Sequence, residues 1–331
     1  MLHYKIDILE EEIKEYSPQI LEILLKDRTT KMNIIWATDN YSVNGSGFGF
    51  DDHITVDSVT GFNNGVVKPR TEKTKEEQNM RICEKAEVFT PAWVCNKQNN
   101  LIDYAWFGRK NVFNIERKNG WHSNIDRIVF PSLRGKTWQD YVLEPRLEIS
   151  CGEAPYLVSR YDAVTGQHIE ISERIGLLDR KMRVLSENIN GEEDWIKWAQ
   201  KAFKSTYGYD WQGDNVLLAR ENLLCTFIDY YVLKFQKDPC EELMLNISFI
   251  LSWNIWQMDG LKFVIPGSCK EKSHCFEQMS FFDTSIESRS CEGCSMNNPF
   301  IHSGVYCKVM DWDENKEVEF VSLLDKNGGR Q

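Results

Sequence analysis

The sequence predicts an α/β chain with an N-terminal extension and a cysteine-rich C-terminal region. Three observations lead there. Helical and strand-like apolar patterns alternate between Glu192 and Trp256, which is the mark of an α/β architecture. The run Leu147-Glu148-Ile149-Ser150-Cys151-Gly152-Glu153-Ala154-Pro155-Tyr156-Leu157 reads as an apolar strand end, an acidic residue, a tight glycine turn and an apolar helix start. Five of the ten cysteines crowd between positions 269 and 307.

The elements follow in order. Residues 5–26 carry Ile13, Ile20, Ile23 and Leu24, with acidic residues leading and lysine following. That arrangement suits a helix dipole and predicts helices interrupted near Ser17-Pro18. Asn33 to Ala37 predicts a short strand. Residues 39–67, with Gly45, Gly47, Gly49, Gly61 and Gly65, predict turns and short strands. Residues 68–85 are charged and either helical or linking. Pro91 can open a helix at its first turn, which Trp93 to Asn99 continue. Residues 103–136 read as irregular. Trp138 to Leu143 is apolar and leads into the glycine turn. Glu173 to Lys181 is amphipathic. Glu192 to Ser205 places Trp195, Ile196, Trp198, Ala199, Ala202 and Phe203 at helical spacing. Residues 207–211 predict a buried strand, Asp214 to Lys234 a long helix, and Cys240 to Trp256 an apolar stretch that ends in a strand before Asp259. Val309 to Trp312 and Val318 to Val321 flank a polar turn and predict a hairpin.

Composition bounds the function. The 331 residues are 42% hydrophobic and include eleven Trp and seventeen Phe, which suits a packed globular core rather than disorder. No apolar run reaches about twenty residues, so no membrane span is expected. The N-terminus lacks the basic start and apolar stretch of a signal peptide, and a cytoplasmic location is the expectation. A net charge of −11 argues against a charge-driven, histone-like nucleic-acid binder. One basic stretch stands out: Arg109, Lys110, Arg117, Lys118, Arg127, Arg134 and Lys136, interleaved with Phe113, Trp121 and Phe130. It is either a phosphate-facing surface or a solvated loop region.

Four pieces in chain order carry a resemblance: Glu87-Val88-Phe89-Thr90-Pro91, the glycine turn, Tyr207-Gly208-Tyr209-Asp210 and Gln257-Met258-Asp259-Gly260-Leu261. They resemble the S-adenosylmethionine (SAM)-dependent amino-methyltransferases of DNA, in the class where a Phe-Thr-Pro motif precedes the glycine loop. Ala86 to Asn99 and Leu147 to Tyr161 look like the family described as restriction endonuclease subunit M, and the likeness spans roughly residues 86–263. It implies a Rossmann-like SAM-methyltransferase fold acting on an adenine or cytosine amino group within a restriction-modification system. It also implies DNA and a restriction or specificity subunit as partners. By the same resemblance Phe89, Thr90 and Pro91 pack over the methionine end of SAM, Glu148 and Gly152 face that end, Asp210 takes the ribose hydroxyls and Asp259 the adenine amino group. Each of these is also readable as an ordinary strand-end carboxylate or turn.

Two features depart from the family. Gly152 and Asp210 stand 58 positions apart, against about 20 for the acidic residue of a plain dinucleotide fold. Residues 162–195 are then an insertion, and Asp179 within it competes with Asp210 for the ribose. The base-holding motif, Asp or Asn followed by Pro-Pro and an aromatic, has only Asn298-Pro299-Phe300 as its counterpart, preceded by a cysteine loop rather than an apolar strand. These three are the candidates for methyl transfer. The alternative is a non-catalytic DNA-binding or assembly subunit that keeps the fold. A third reading is a zinc-stabilised interaction protein with no SAM site. No motif supports a nuclease.

Cys269-x5-Cys275 and Cys291-x2-Cys294 flank a 15-residue gap, with His274, His302 and Cys307 nearby. Paired thiolates suit tetrahedral zinc, and residues 266–310 hold few aliphatic side chains, so a metal would supply what a core does not. The expected structural zinc set is Cys269, Cys275, Cys291 and Cys294, with Cys307 or His302 able to replace Cys269 or Cys275. Reduced surface thiols or redox chemistry at Cys291 and Cys294 is the alternative. The expected division is an extension at 1–85, a methyltransferase-like domain at 86–263 and a zinc-binding region with a hairpin at 264–331.

Overall fold

A computed structural model of the chain describes residues 10–85, 90–131, 135–269 and 291–324. It begins with two short helices, α1 (Glu10–Tyr16) and α2 (Pro18–Leu25). Pro18 occupies the first helical position, where its missing N–H is no loss, and separates the two as expected. Asn33 to Ala37 does not build a ladder: it is held by isolated bridges, Lys26 to Asn33 and Ile35 to His53. Residues 39–67 form turns and one capped helix, α3 (Val56–Val59), with no named strand among the described residues. Then come α4 (Lys75–Lys85) and α5 (Ala92–Phe107), which starts immediately after Pro91.

The stretch 103–136, expected to be irregular, instead completes α5 and forms an antiparallel hairpin of β1 (Asn114–Arg117) and β2 (Gly120–Ser123). Asn119, at φ 57°, makes the turn. The Asn119-Gly120 pair was the available signal, but strands this polar show no alternation to accompany it. Trp138 to Leu143 forms α6 (Trp138–Leu143), with Thr137 and Asp140 in a capping box.

The main sheet is parallel and has three strands in sequential order: β3 (Arg146–Ile149), β4 (Thr206–Asp210) and β5 (Ile255–Gln257). Between β3 and β4 lie α7 (Leu177–Asn188) and α8 (Glu192–Lys204), and between β4 and β5 lie α9 (Gly213–Phe235) and α10 (Glu241–Asn254). Helices α8, α9 and α10 pack on one face of the sheet. The other face presents Tyr209 and Trp256 to a smaller cluster with Phe263, Val318 and Phe320. That cluster is closed by the hairpin of β6 (Lys308–Asp311) and β7 (Lys316–Glu319), reached after the short α11 (Glu292–Met296). Parallel sheets need cover on both faces, and this one has it except along β3. There the strand pairs on one side only, and Leu147 and Ile149 are 44% and 66% exposed. The chain is thus a mixed α/β protein, and no described helix is long and apolar enough to cross a membrane.

From Gly213 to Tyr231 every residue of α9 is buried, as befits a helix enclosed on all sides. Its largest polar side chain is fully partnered. Arg220 donates to the carbonyls of Ile255 (2.8 Å), Lys26 (3.0 Å), Ser252 (3.1 Å) and Leu24. Burial lowers its pKa to about 9, so it stays protonated at neutral pH. Helix α7 is likewise interior: Asp179, Arg180 and Lys181 are each about 1% exposed. Arg180 pairs with Asp103, and Lys181 donates to the carbonyls of Glu144 and Ser205. The N-terminal residues are built into the same body. The Gln257 carboxamide bonds the Ile35 backbone in both directions, at 2.9 and 2.8 Å, and Gly213 donates to the Trp36 carbonyl at 3.2 Å.

Candidate functional site

Because β3, β4 and β5 are parallel, their carboxyl ends share one edge, where ligands bind in open α/β sheets. Glu148 on β3 turns into the loop that follows. Its two carboxylate oxygens accept from Tyr156 N (3.3 Å) and Leu157 N (3.1 Å). Gly152, at φ 53°, donates its N–H to Asp210 Oδ2 at 2.9 Å, and Cys151 N bonds the Tyr209 carbonyl at 2.8 Å. The glycine turn is thereby tied down onto the end of β4. Asp210 Oδ1 also accepts from Gln212 N (3.0 Å) and Asn215 Nδ2 (3.2 Å) at the start of α9.

Asp259 lies just beyond β5. Its Oδ1 accepts from Leu261 N (3.0 Å) and Lys262 N (3.2 Å), and Lys262 Nζ stands 3.5 Å from Oδ2. The Asp259-Gly260 turn packs on the Tyr209 ring. At the other end, Pro91 precedes α5, and Ala92 N is capped from a distance by Asp162 Oδ2 at 2.7 Å. The Tyr156 hydroxyl lies beside the Thr90 and Cys95 side chains, which joins the Thr90-Pro91 segment to the glycine turn. Thr90, Pro91, Glu148, Gly152, Asp210 and Asp259 therefore meet along one edge. Phe89 lies outside the described residues.

Burial dominates the electrostatics of this edge. Burial pushes the Glu148 carboxyl well above its usual range, the two backbone N–H groups oppose this, and the neighbouring Asp210 charge adds to it. Asp179, the competing carboxylate, has a different job. Its Oδ2 accepts from Ser159 N (2.8 Å), Ser159 Oγ (3.1 Å) and Gly176 N (3.2 Å), closing the start of α7. Sequence reading passed over Asp162, because the N–H it caps belongs to Ala92, 70 positions away.

The second assembly is a cluster of Cys269, Cys291, Cys294 and His302, whose donor atoms all lie within 4.8 Å of one another. His302 Nδ1 is 3.6 Å from Cys269 Sγ, 3.4 Å from Cys291 Sγ and 3.6 Å from Cys294 Sγ. A tetrahedron built with the usual zinc–sulfur and zinc–nitrogen bond lengths has S···N edges of about 3.6 Å, so the donor set and its spacing fit that ion. Cys291 precedes α11 and Cys294 sits within it, which turns both sulfurs to one side. Two glycines make room: a Cβ on Gly293 would lie 2.7 Å from His302 Nδ1, and one on Gly304 would lie 2.7 Å from Cys269 Sγ. Burial raises the Cys291 thiol, but Ser303, Cys294 and His302 hydrogen bonds outweigh it and bring it to about 5. Burial and the adjacent Cys291 push Cys269 up to about 11.

His302, named from the sequence as a substitute, is the fourth donor in this cluster, while Cys275 lies outside the described residues. Cys307 is elsewhere. It is buried against β5, where its Sγ donates to the Gln257 carbonyl at 3.3 Å. Asn298, Pro299 and Phe300 do not follow a strand. They form the return from α11 to His302, with Asn298 Oδ1 accepting from Phe300 N (3.0 Å) and the Pro299 carbonyl from the Tyr306 hydroxyl (2.9 Å). In the basic stretch, Arg117 and Lys118 are exposed at the β1–β2 turn, and Arg109 and Arg127 are exposed nearby. Phe113 is buried, and Arg134 lies outside the described residues. No protein-family model, no curated protein and no solved structure matches this chain.

Proposed function

We propose that this chain binds SAM at the carboxyl edge of its parallel sheet and serves as a SAM-dependent methyltransferase-like subunit of a DNA restriction-modification system, with a Rossmann-like fold. The convergence of Glu148, Gly152, Asp210 and Asp259 on one edge carries the reading. SAM presents an ammonium and a sulfonium, a ribose diol and an adenine. The buried Glu148 and Asp210 carboxylates would gain from a nearby cation. A strand-end carboxylate accepts from two ribose hydroxyls at once, and on the resemblance Asp259 would receive the adenine amino group. The exposed arginines and lysine at the β1–β2 hairpin supply phosphate contacts for DNA. The open edge of β3 supports a partner subunit. Cys269, Cys291, Cys294 and His302 would hold a structural zinc ion, since four protein ligands leave no open position for chemistry.

Isothermal titration with SAM tests the reading. Wild type is expected to bind, and Asp210→Ala to bind about tenfold or more weakly, in keeping with the loss of a charge-assisted hydrogen bond. A folded, zinc-replete wild type that takes up no SAM would sink the proposal.

One observation favours a second reading for the transfer step, a non-catalytic DNA-binding or assembly subunit. The Asn298 carboxamide closes its own turn inside the cysteine–histidine loop, directly after α11 rather than after a strand. On that reading Asn298→Ala leaves DNA methylation by the assembled system unchanged. On the catalytic reading the variant loses transfer but still binds SAM.

A further inference from the structure

The metal cluster and the strand-end site are joined by a short stretch of chain. After β5, Asp259 N donates to the Val264 carbonyl (2.8 Å) and Phe263 N to the Asp259 carbonyl (2.7 Å), so Asp259 sits at the mouth of a tight loop. Val264 closes that loop and also bridges Tyr306 on its other side. The pairing continues with Ile265 N to the Val305 carbonyl (2.8 Å), Cys307 N to the Phe263 carbonyl (3.0 Å) and Val305 N to Ser268 Oγ (3.0 Å). Cluster ligands cap both arms of this ladder. Cys269 follows Ser268 on one arm, and His302 precedes Val305 on the other, its backbone N–H donating to the Tyr306 hydroxyl at 2.7 Å. Gly304 lets the arms close, since a Cβ there would lie 2.6 Å from Ser268 Oγ. A side-chain contact holds the same loop: Lys262 Nζ stands 3.5 Å from Asp259 Oδ2.

We propose that metal bound by Cys269, Cys291, Cys294 and His302 acts as a clamp that positions Asp259, so that metal occupancy controls ligand affinity at the strand ends. The physical reason is local. Backbone bonds on a two-residue ladder are weak alone, whereas a metal joining its two free ends converts an open fork into a closed ring. Asp259 is then a positioning target of the clamp. The affinity arm of the proposal rests on the SAM reading given above; the clamp itself does not.

The test uses the full chain, zinc-loaded or stripped with a chelator, with zinc counted by elemental analysis. Hydrogen exchange is followed at residues 258–269 and 302–307, with α9 as the internal reference, and SAM is titrated into each form. On zinc removal, exchange at the Asp259, Ile265 and Cys307 amides is expected to rise while α9 keeps its protection. SAM affinity should fall about tenfold, within the usual range of coupling between two sites. Cys294→Ser, at the exposed ligand, should do the same, and Cys240→Ser, at an exposed thiol outside the cluster, should do neither. In an Asp259→Ala background, zinc removal should cost no further affinity. A chain that binds no zinc, unchanged exchange at those amides once zinc is gone, or loss of protection across α9 as well would each overturn the clamp. Failure of the zinc-loaded wild type to bind SAM would overturn the strand-end reading and the affinity arm, with the exchange result still deciding the clamp.

Discussion

Glu148 shows how burying a single carboxylate couples stability to pH. Its folded-state pKa lies above the ordinary carboxylate value, so its contribution to stability is fully present below about pH 4.5 and is lost as pH rises through the folded value. Glu148→Gln removes the charge and keeps an acceptor for one of the two N–H groups, Tyr156 N or Leu157 N, at a pH-independent cost for the other. The variant is therefore expected to gain stability relative to wild type as pH is raised from 4 towards 8, measured by urea unfolding, while SAM binding weakens. A variant that tracks wild type across that range would show that burial of this charge costs nothing. Asp214 is the opposite case. Burial alone would raise its pKa, but Arg81 at 2.6 Å, Lys73 at 3.5 Å and the Tyr41 hydroxyl at 2.6 Å hold it well below the carboxylate range. Its stabilisation is present above the unfolded value and is lost only in strong acid. Arg81→Met leaves a buried carboxylate short of its main partner, with an expected loss of about 3–5 kcal/mol at pH 7. Equilibrium denaturation at pH 7 checks this.

At the scale of elements, the Thr90-Pro91 segment is positioned by Asp162. One of its oxygens caps the first free N–H of α5, while the other accepts from Val164 N (2.9 Å) and Thr165 N (2.8 Å) in its own turn. Pro91 offers α5 no side-chain cap. Asp162→Ala should therefore destabilise the protein by about 0.5–2 kcal/mol, read from urea unfolding. It should also loosen the start of α5, read from faster exchange at Ala92. No change at Ala92 would mean that packing of Tyr156 alone fixes this segment. Most elements that carry the site were legible in the sequence: the helix after Pro91 from its proline, α8 from its helical spacing, and β4, α9, β5 and the final hairpin from their apolar runs and turns. The β1–β2 hairpin was not, because Asn114 to Arg117 is stabilised by backbone pairing and by an Asn96–Asn114 side-chain exchange across 18 positions. The amphipathic pattern of Glu173 to Lys181 did not show that Arg180 and Lys181 are interior, because their acceptors lie on α5, after α6 and at the start of β4.

For the whole molecule, the division expected at residue 85 crosses a continuous core. Ile20, Leu24, Ile34 and Trp36 belong to the same apolar cluster as α7 to α10, and the Ile35–Gln257 and Leu24–Arg220 bonds cross the boundary. A fragment starting at residue 86 would uncover the core surface that those side chains cover, and would remove the Leu24 and Lys26 acceptors of Arg220 and the Ile35 partner of Gln257. It is expected to lack a cooperative thermal transition by circular dichroism, whereas the full chain unfolds as one unit. A sharp transition in the fragment would show that residues 86–331 form an independent domain.

Local chemistry was enough to mark the parallel strands, the glycine turn and a cysteine-rich segment with metal-binding spacing, because period, φ preference and donor type are properties of neighbouring residues. Only the tertiary structure decided that Glu148, Asp210 and Asp259 share an edge, that Asp179 serves α7, that His302 stands with Cys269, Cys291 and Cys294, and that Cys307 faces β5 instead. Each of these depends on burial and on partners tens or hundreds of positions away, and desolvation and hydrogen-bond geometry act through space rather than along the chain.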